Sequence, residues 1–151
     1  MQELHDFIVE AKSACYVGSG ASVPSSRPGS HDLSHARGRW RYLDSYFGGT
    51  DFIGQETVWL AGEPVWAMNY YGRILRDGLI DATMAGKVIR ESLSKMYQEG
   101  RFLSGYVHET AGMTYRDSTE GDFQSFIGVE RIIAGGTEAY RLDYHGGLVK
   151  P

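Results

Sequence analysis

Apolar residues spaced three and four positions apart predict two amphipathic helices, one over residues 3–15 and one over residues 81–98. Asp81 is a candidate N-cap of the second helix, and Gly100 is placed to follow its last turn. The chain's one cysteine, Cys15, falls on the apolar stripe of the first helix. We therefore expect Cys15 to be a small core residue and not a reactive thiol.

Outside these helices, apolar and polar residues alternate as they do in short strands. The 20 glycines and 10 tyrosines are typical of pleated strands and their turns. Residues 16–31 are rich in Gly, Ser and Pro and are predicted to form a long loop. In that loop, the stretch Gly18-Ser19-Gly20 lacks the spacing of a dinucleotide-binding fingerprint. The predicted strands cover residues 39–47, 51–60, 64–74, 104–109, 112–118, 124–133 and 137–145.

An internal repeat relates the two halves of the sequence. A shift of 74 residues aligns 52–75 with 126–149 without a gap, and 7 of the 24 aligned positions are identical. A predicted helix precedes each copy. We therefore predict an α+β fold in one domain, residues 1–151, with an internal duplication of about 1–75 and 76–151. Its two pseudo-symmetric copies of a helix plus antiparallel-strand unit would pack their helices on a largely antiparallel sheet or half-barrel.

Two-residue turns at Ala61-Gly62 and Gly135-Gly136 would fix which side chains share a face of the sheet. The core face is predicted to carry Ile53, Gln55, Thr57, Trp59, Trp66, Met68 and Tyr70, then Ile127, Val129, Ile133, Tyr140, Leu142 and Tyr144. The opposite face is predicted to carry Phe52, Gly54, Glu56, Ala67, Asn69 and Tyr71, then Phe126, Gly128, Glu130, Arg141, Asp143 and His145. A turn one residue longer exchanges these assignments.

Two interpretations of the glutamate-bearing face stay open. Its mixture of aromatic and ionisable side chains suits a groove in which Glu56 or Glu130 selects a cationic ligand. It equally suits a solvated face with a cross-strand pair between Glu130 and Arg141. In that second case, the glutamates would accept hydrogen bonds from a neighbouring tyrosine or a backbone N–H.

The sequence contains no catalytic signature such as a P-loop, a G-x-S-x-G elbow or H-E-x-x-H. His31, Asp32 and His35 resemble a metal-binding cluster but lack a clear third His or Cys, so we expect no metal and no cofactor. Asp44 and Asp117 precede glycine-rich stretches. Turn capping explains them most simply, and paired carboxylates for acid–base chemistry are the alternative.

Charge and composition narrow the classes of partner. The formal net charge is −4 and no basic run is present, so direct binding of nucleic acid is not expected. One cysteine allows no internal disulfide, which fits a reducing compartment. Neither a signal peptide nor an apolar run of membrane-spanning length is evident, so we expect a cytoplasmic protein that does not enter a membrane.

Several longer motifs resemble a prokaryotic family of domains of unknown function that occur alone or behind an Xre-type helix-turn-helix segment. The motifs are SSRPGSHDL (25–33), YLDSYFGG (42–49), GQETVW (54–59), PVWAMNYYG (64–72) and YHGG (144–147). The resemblance implies a regulatory or ligand-sensing role and brings no catalytic residues. Because this sequence shows no helix-turn-helix pattern, the resemblance does not imply DNA binding.

The leading hypothesis is a small-molecule-binding or sensing module associated with transcriptional regulation. The first alternative is a hydrolase or isomerase that uses Asp44 or Glu56 as base, with the Arg27 loop holding an anion. The second alternative is an interaction protein, with a homodimer as its simplest form. The candidate ligand-binding residues are Arg27, Tyr42, Asp44, Glu56, Trp66, Asn69, Tyr71, Glu130 and His145.

Overall fold

One antiparallel sheet of nine strands forms the body of the protein. The computed structural model describes residues 1–17 and 22–150. The strands are β1 (Ser22–Val23), β2 (His31–Arg37), β3 (Trp40–Gly48), β4 (Phe52–Leu60), β5 (Glu63–Ile74), β6 (Tyr106–Thr110), β7 (Met113–Asp122), β8 (Ser125–Ala134) and β9 (Thr137–Leu148). Their order across the sheet is β1-β2-β3-β4-β5-β9-β8-β7-β6, and every neighbouring pair is antiparallel.

Two helices and a short π-helical turn accompany the sheet. Helix α1 (Gln2–Lys12) continues into the π-helical turn (Ser13–Val17), and α2 (Ala82–Gln98) joins β5 to β6. The side chain of Asp81 accepts a hydrogen bond from the Met84 backbone N at 2.7 Å, so the predicted N-cap is confirmed. Neither helix is long and apolar enough to cross a membrane.

The predicted fold of two helix-plus-strand units packed on a sheet is wrong. β5 and β9 pair along their length, from Trp66–Leu148 to Ile74–Tyr140, so backbone hydrogen bonding runs through the sheet without interruption. The described residues contain only two α-helices, of 11 and 17 residues. The sequence similarity between two stretches does not say whether they pair with each other. Here β5 and β9 are the edge strands of the two predicted units, and they pair with each other, so neither edge is left without backbone hydrogen bonds.

The predicted loop over residues 16–31 is also incorrect in part. β1 lies within it and pairs with β2, which the alternation pattern did not reveal. β2 is hard to detect because its sequence, HDLSHAR, contains few apolar residues. Seven residue pairs with β3 hold it in the sheet. The stretch Gly18-Ser19-Gly20 lies outside the described residues.

The two-residue turns are confirmed, but the register inferred from them is off by one residue. Ala61 and Gly62 have φ values of 55° and 93°, as a type I′ hairpin turn requires, and residues 135–136 behave in the same way. A β-bulge places Val65 of β5 as an extra residue opposite the step from Val58 to Trp59, and a second places Ala139 of β9 opposite the step from Ile132 to Ile133. Each bulge adds one residue between the turn and the strand, which reverses the direction of every side chain beyond it.

As a consequence, β4 and β8 present the opposite faces from those predicted. Glu56 and Glu130 are buried, whereas Ile53 and Ile127 are 55% and 60% exposed. The predicted faces of β5 and β9 are correct. The face that the helices cover, called the inner face here, carries Tyr42, Asp44, Glu56, Val58, Met68, Tyr70, Tyr115, Asp117, Glu130, Ile132, Tyr140 and Tyr144.

The apolar core lies between this inner face and the helices. Phe7 of α1 stacks on Trp40, with ring centres 5.5 Å apart, and Trp66 stacks on Phe126 at 5.9 Å. Cys15 is buried in the same cluster, as predicted from the stripe of the first helix. The core is therefore rich in aromatic side chains, which bury large areas each.

Two isoleucines of β8 test the corrected faces. Ile132→Ala should lower the free energy of unfolding by about 2–5 kcal/mol, because it empties space in a fully buried site. Ile127→Ala is the matched control and should change it by less than about 0.5 kcal/mol. Urea denaturation followed by tryptophan fluorescence measures both. If Ile127→Ala lowered the free energy of unfolding more than Ile132→Ala did, the faces predicted from the sequence would be correct and the observed ones wrong.

Candidate functional site

A cavity of about 500 Å³ lies between the inner face, the π-helical turn and α2. Its walls combine aromatic and aliphatic side chains with one buried ammonium group and four buried carboxyl groups. Exposed lining residues at 48–50, together with Ala82 and Arg90 of α2, mark its opening to solvent. The buried charged residues are Lys12, Asp44, Glu56, Asp117 and Glu130. This volume and this mixed lining are typical of sites for small organic ligands.

Lys12 and Glu56 form a buried ion pair in the cavity wall. The Lys12 Nζ lies 2.8 Å from Glu56 Oε1 and 2.7 Å from Oε2, and both side chains are almost completely buried. The same ammonium group lies 5.4 Å from the centre of the Phe102 ring. Removing either partner would leave an uncompensated charge in the interior, so the pair fixes the end of α1 against β4.

Asp44 lies beside Glu56 on the adjacent strand and accepts hydrogen bonds from two tyrosines. Tyr70 donates to Asp44 Oδ1 at 2.6 Å, and Tyr16 of the π-helical turn donates to Oδ2. The Tyr16 hydroxyl also lies 3.2 Å from Glu56 Oε1, so it bridges the two carboxyl groups. Burial, followed by the negative charge of Glu56, raises the pKa of Asp44 to about 7.

Asp117 and Glu130 form a second pair of carboxyl groups on neighbouring strands. Tyr115 and Tyr140 donate to the two oxygens of Glu130 at 2.5 and 3.1 Å, and Tyr144 donates to Asp117 Oδ1 at 2.7 Å. Burial is the main cause that raises the pKa of Glu130 to about 7, and burial also raises the pKa of Asp117. In the described part of the chain, neither carboxyl group has an ion-pair partner within 4.0 Å.

Two glycines allow tyrosines to reach the aspartates. Tyr70 of β5 lies across Gly54 of β4 to reach β3, and Tyr144 of β9 lies across Gly128 of β8 to reach β7. A Cβ on Gly54 would lie 2.6 Å from Tyr70 Cζ, and one on Gly128 would lie 2.5 Å from Tyr144 Cε2. Both glycines are required for space, because any side chain there would displace the tyrosine ring.

Tyr97, in the last turn of α2, also lines the cavity. It is only 7% exposed, yet its hydroxyl has no hydrogen-bond partner among residues 1–17 and 22–150. Burial raises its pKa, and the nearby carboxylates add to the effect, with Glu56 first and Glu130 next. Tyr97 therefore faces both carboxyl pairs and adds a hydrogen-bonding group that the protein itself leaves unused.

Three of the predicted ligand-binding residues meet at this cavity: Asp44, Glu56 and Glu130. Tyr42 is fully buried near the first two, and its hydroxyl has no hydrogen-bond partner within the described ranges. Trp66 belongs to the core, where its Nε1 donates to the Phe123 carbonyl at 2.8 Å.

The remaining four predicted residues lie away from the cavity. The Arg27 guanidinium donates to the backbone and side-chain oxygens of Ser45 at 2.9 and 2.8 Å, and it packs on the Phe47 ring. Asn69, Tyr71 and His145 lie on the outer face, as their predicted strand faces required. These three residues therefore lie on a solvated surface, on the side of the sheet opposite to the cavity that Glu56 and Glu130 line.

The hydrogen bonds and ion pairs in the structure decide three further predictions about polar residues. The predicted Glu130–Arg141 pair is wrong, because Glu130 is bound by tyrosines and Arg141 Nη2 lies 2.7 Å from Asp143 Oδ1 on the outer face. Asp44 and Asp117 do not cap turns, because both lie in the middle of strands. The alternative of hydrogen bonds from tyrosine to Glu130 is confirmed.

The residues of the metal-like motif have separate roles. His35 Nε2 lies 2.7 Å from Glu10 Oε1, and Asp32 accepts from Ser45 Oγ at the same distance. Across the described residues, no group of three or more His, Cys, Asp and Glu side chains is placed to hold a metal ion.

The sequence interpretation missed Lys12, Tyr16 and Tyr97, which complete the site. Lys12 follows Ile8 by four positions and so occupies the buried stripe of α1. A lysine in an apolar stripe predicts a buried ion pair, because a buried lysine needs a partner of opposite charge. This signal was available in the sequence.

The glycine crossings can be tested by adding a single methyl group. Gly128→Ala should lower the free energy of unfolding by about 1–3 kcal/mol, because the Cβ displaces Tyr144. Gly86→Ala is the control, since a Cβ there meets nothing within 4 Å, and it should stabilise α2 by about 0.5–1 kcal/mol. Denaturant unfolding gives both values. Equal stability of Gly128→Ala and the wild type would show that the ring does not need the space.

The buried carboxyl groups should make stability depend on pH. The pKa of Glu130 is about 7 in the folded protein and about 4.3 in an unfolded chain, so the native state holds more protons between these values. The stabilisation is therefore complete below pH ~4 and is lost as the pH rises through 7, by an amount on the order of 1–3 kcal/mol. Glu130→Gln should lessen the fall in unfolding free energy from pH 5 to 8 without abolishing it, since Asp44 and Asp117 keep their raised pKa values, whereas the exposed Glu120→Gln should leave it unchanged. Parallel curves for these two variants would rule out this role.

Comparison with known proteins gives one match. The family described as Domain of unknown function (DUF5680) matches residues 44–149, a range that contains Asp44, Glu56, Asp117 and Glu130. No curated protein and no solved structure matches the chain. Because the family match covers well over half of the 151 residues, the protein belongs to the DUF5680 family.

Proposed function

We propose that this domain binds a small organic molecule in its central cavity and acts as a sensing module. The observation that carries the proposal is the cavity of about 500 Å³, into which both carboxyl pairs and the Tyr97 hydroxyl converge. Burying four carboxyl groups lowers the stability of a core, since apolar residues of similar volume fill such space at lower cost. Their retention around an open space supports a role in recognition.

The chemistry of the lining supports the same conclusion. Apolar side chains such as Phe52, Ile89 and Leu93 supply contact area, while the carboxyl and hydroxyl groups would fix the orientation of a ligand. Raised pKa values at Asp44 and Glu130 occur together in one cavity. Such clustering is more frequent at functional sites than elsewhere in proteins.

The sequence resemblance supports a regulatory use of binding. In the prokaryotic family that the motifs resemble, the domain occurs alone or behind an Xre-type helix-turn-helix segment. Occupancy of the cavity would then be passed to a partner that contacts DNA. The net charge of −4 supports assigning the DNA contact to that partner and not to this domain.

Acid–base catalysis is a second candidate, in the form of a hydrolase or isomerase with Asp44 or Glu56 as base. The observation in its favour is the pKa of about 7 at Asp44, which lies in the range that suits proton transfer near neutral pH. The predicted anion-holding role of the Arg27 loop has no support, because the Arg27 guanidinium is bound to Ser45. Mass spectrometry of compounds recovered after incubation distinguishes the two, since a catalyst returns an altered mass and a sensor does not.

Blocking the cavity tests the binding proposal. Gly86 lines the cavity with open space around it, so Gly86→Trp should fill the opening beside α2. Met84→Trp adds the same side chain at an exposed position that does not line the cavity. A thermal-shift panel of small amphiphilic amines, acids and neutral compounds should contain some that raise the Tm of the wild type and of Met84→Trp by about 5–10 °C near 100 times their Kd.

Gly86→Trp should lose this shift while keeping a normal unfolding transition. Two results would contradict the proposal. One is a wild-type panel in which compounds of every charge leave the Tm unchanged. The other is an equal shift in Gly86→Trp, which would place the bound compound elsewhere on the protein.

A further inference from the structure

We propose that the ligand carries a protonated amine and that Asp117 and Glu130 hold this group, with Tyr97 as a third contact. The inference rests on the proposed function, because it assumes that the cavity is a binding site. It adds the chemical class of the ligand and the end of the cavity where its charged group lies.

The protein already contains an example of ammonium recognition in this cavity. The Lys12 ammonium group is held by Glu56 and lies near the rings of Phe102 and Tyr16, at 5.4 and 5.8 Å from their centres. A carboxylate with surrounding aromatic rings is a favourable environment for a cation. The pair Asp44 and Glu56 is therefore supplied with its cation by the chain itself.

Asp117 and Glu130 have the same arrangement but no cation of their own. They are neighbours on adjacent strands of the inner face, and tyrosine hydroxyls donate to both. Among the described residues, no Lys, Arg or His lies within ion-pair distance of either group. Each carboxylate oxygen can accept a further hydrogen bond, so acceptor capacity remains for an ammonium group.

Tyr97 provides a second, independent observation that points to a ligand beside this carboxyl pair. Its side chain is more than nine-tenths buried, lines the cavity and faces the carboxyl groups, yet its hydroxyl has no partner in the described ranges. The hydroxyl oxygen is open to the cavity and can accept or donate a hydrogen bond there. An ammonium group between Asp117 and Glu130 would donate to this oxygen as well.

Binding of an amine should release protons. Burial favours the neutral forms of Asp117 and Glu130 and raises the pKa of both, so an arriving positive charge favours their ionisation. Affinity for an amine should therefore rise between pH 6 and 8, where the amine itself stays protonated. The titratable and charged groups that face this pair are Lys12, Asp44, Glu56, Tyr97, Arg101, Tyr115, Tyr140 and Tyr144, with Arg90 at the opening.

Isothermal titration calorimetry with matched probes tests the inference. The probes are phenethylamine and hexylamine, with phenethyl alcohol and hexanol as uncharged matches. The wild type should bind the amines more tightly than the alcohols and release protons, as shown by heats that change with the ionisation enthalpy of the buffer. Asp117→Asn and Glu130→Gln should each weaken amine binding about ten- to a hundredfold and leave the alcohols unchanged. Glu120→Gln, which removes the same charge from an exposed site, should leave both unchanged.

The outcomes separate this inference from the proposed function. Acids or alcohols that bind and are blocked by Gly86→Trp, with amines that do not bind, would overturn the amine assignment and leave the cavity as a binding site. No binding by amines, alcohols or acids would overturn the proposed function itself. Should both cavity variants fail to fold, the wild type still decides, because amine binding without proton release contradicts a contact with Asp117 and Glu130.

Discussion

Four carboxyl groups buried on one face of a sheet impose the constraint on which the rest of this structure depends. Each is at most 6% exposed, so most of its hydrogen-bond donors must come from the protein itself. The donors come from distant parts of the chain: Lys12 and Tyr16 from the N-terminal segment, and Tyr70 and Tyr144 from the two strands that meet in the middle of the sheet. The polar interior therefore links elements that the apolar core alone would hold less specifically.

The sequence predicted the elements better than their connections. Asp81 and the alternation after residue 39 located α2 and seven of the strands correctly. β2 was missed because its residues are mostly polar, and its place in the sheet comes from pairing with β3 on one side and with the short β1 on the other. Pairing of β5 with β9 was missed because strand neighbours are chosen by contacts far apart in the sequence, which local periodicity does not contain.

In the candidate site, too, the residues were predicted better than their positions in the structure. Asp44, Glu56 and Glu130 were singled out from the sequence, but the glutamates were assigned to the wrong face. One extra residue in each hairpin, Val65 for Glu56 and Ala139 for Glu130, is sufficient for this error, since it shifts the pairing without any signal in the alternation pattern. Lys12 was overlooked because the helical pattern was interpreted only through its apolar residues. A charged residue on a buried stripe indicates a buried partner of opposite charge, here Glu56.

The tyrosines that cross the glycines also have a mechanical consequence. Tyr70 joins β5 to β3 over the top of β4, and Tyr144 joins β9 to β7 over β8. Each tyrosine side chain, with its hydrogen bond to the aspartate, thus forms a cross-link over three strands. The cross-link lies perpendicular to the direction in which the strands could slide. A slip by one residue would separate the hydroxyl from its aspartate and bring the ring against a residue with a side chain. The two cross-links therefore resist sliding of the strands that line the cavity. They preserve the shape of the cavity whether or not a ligand is bound.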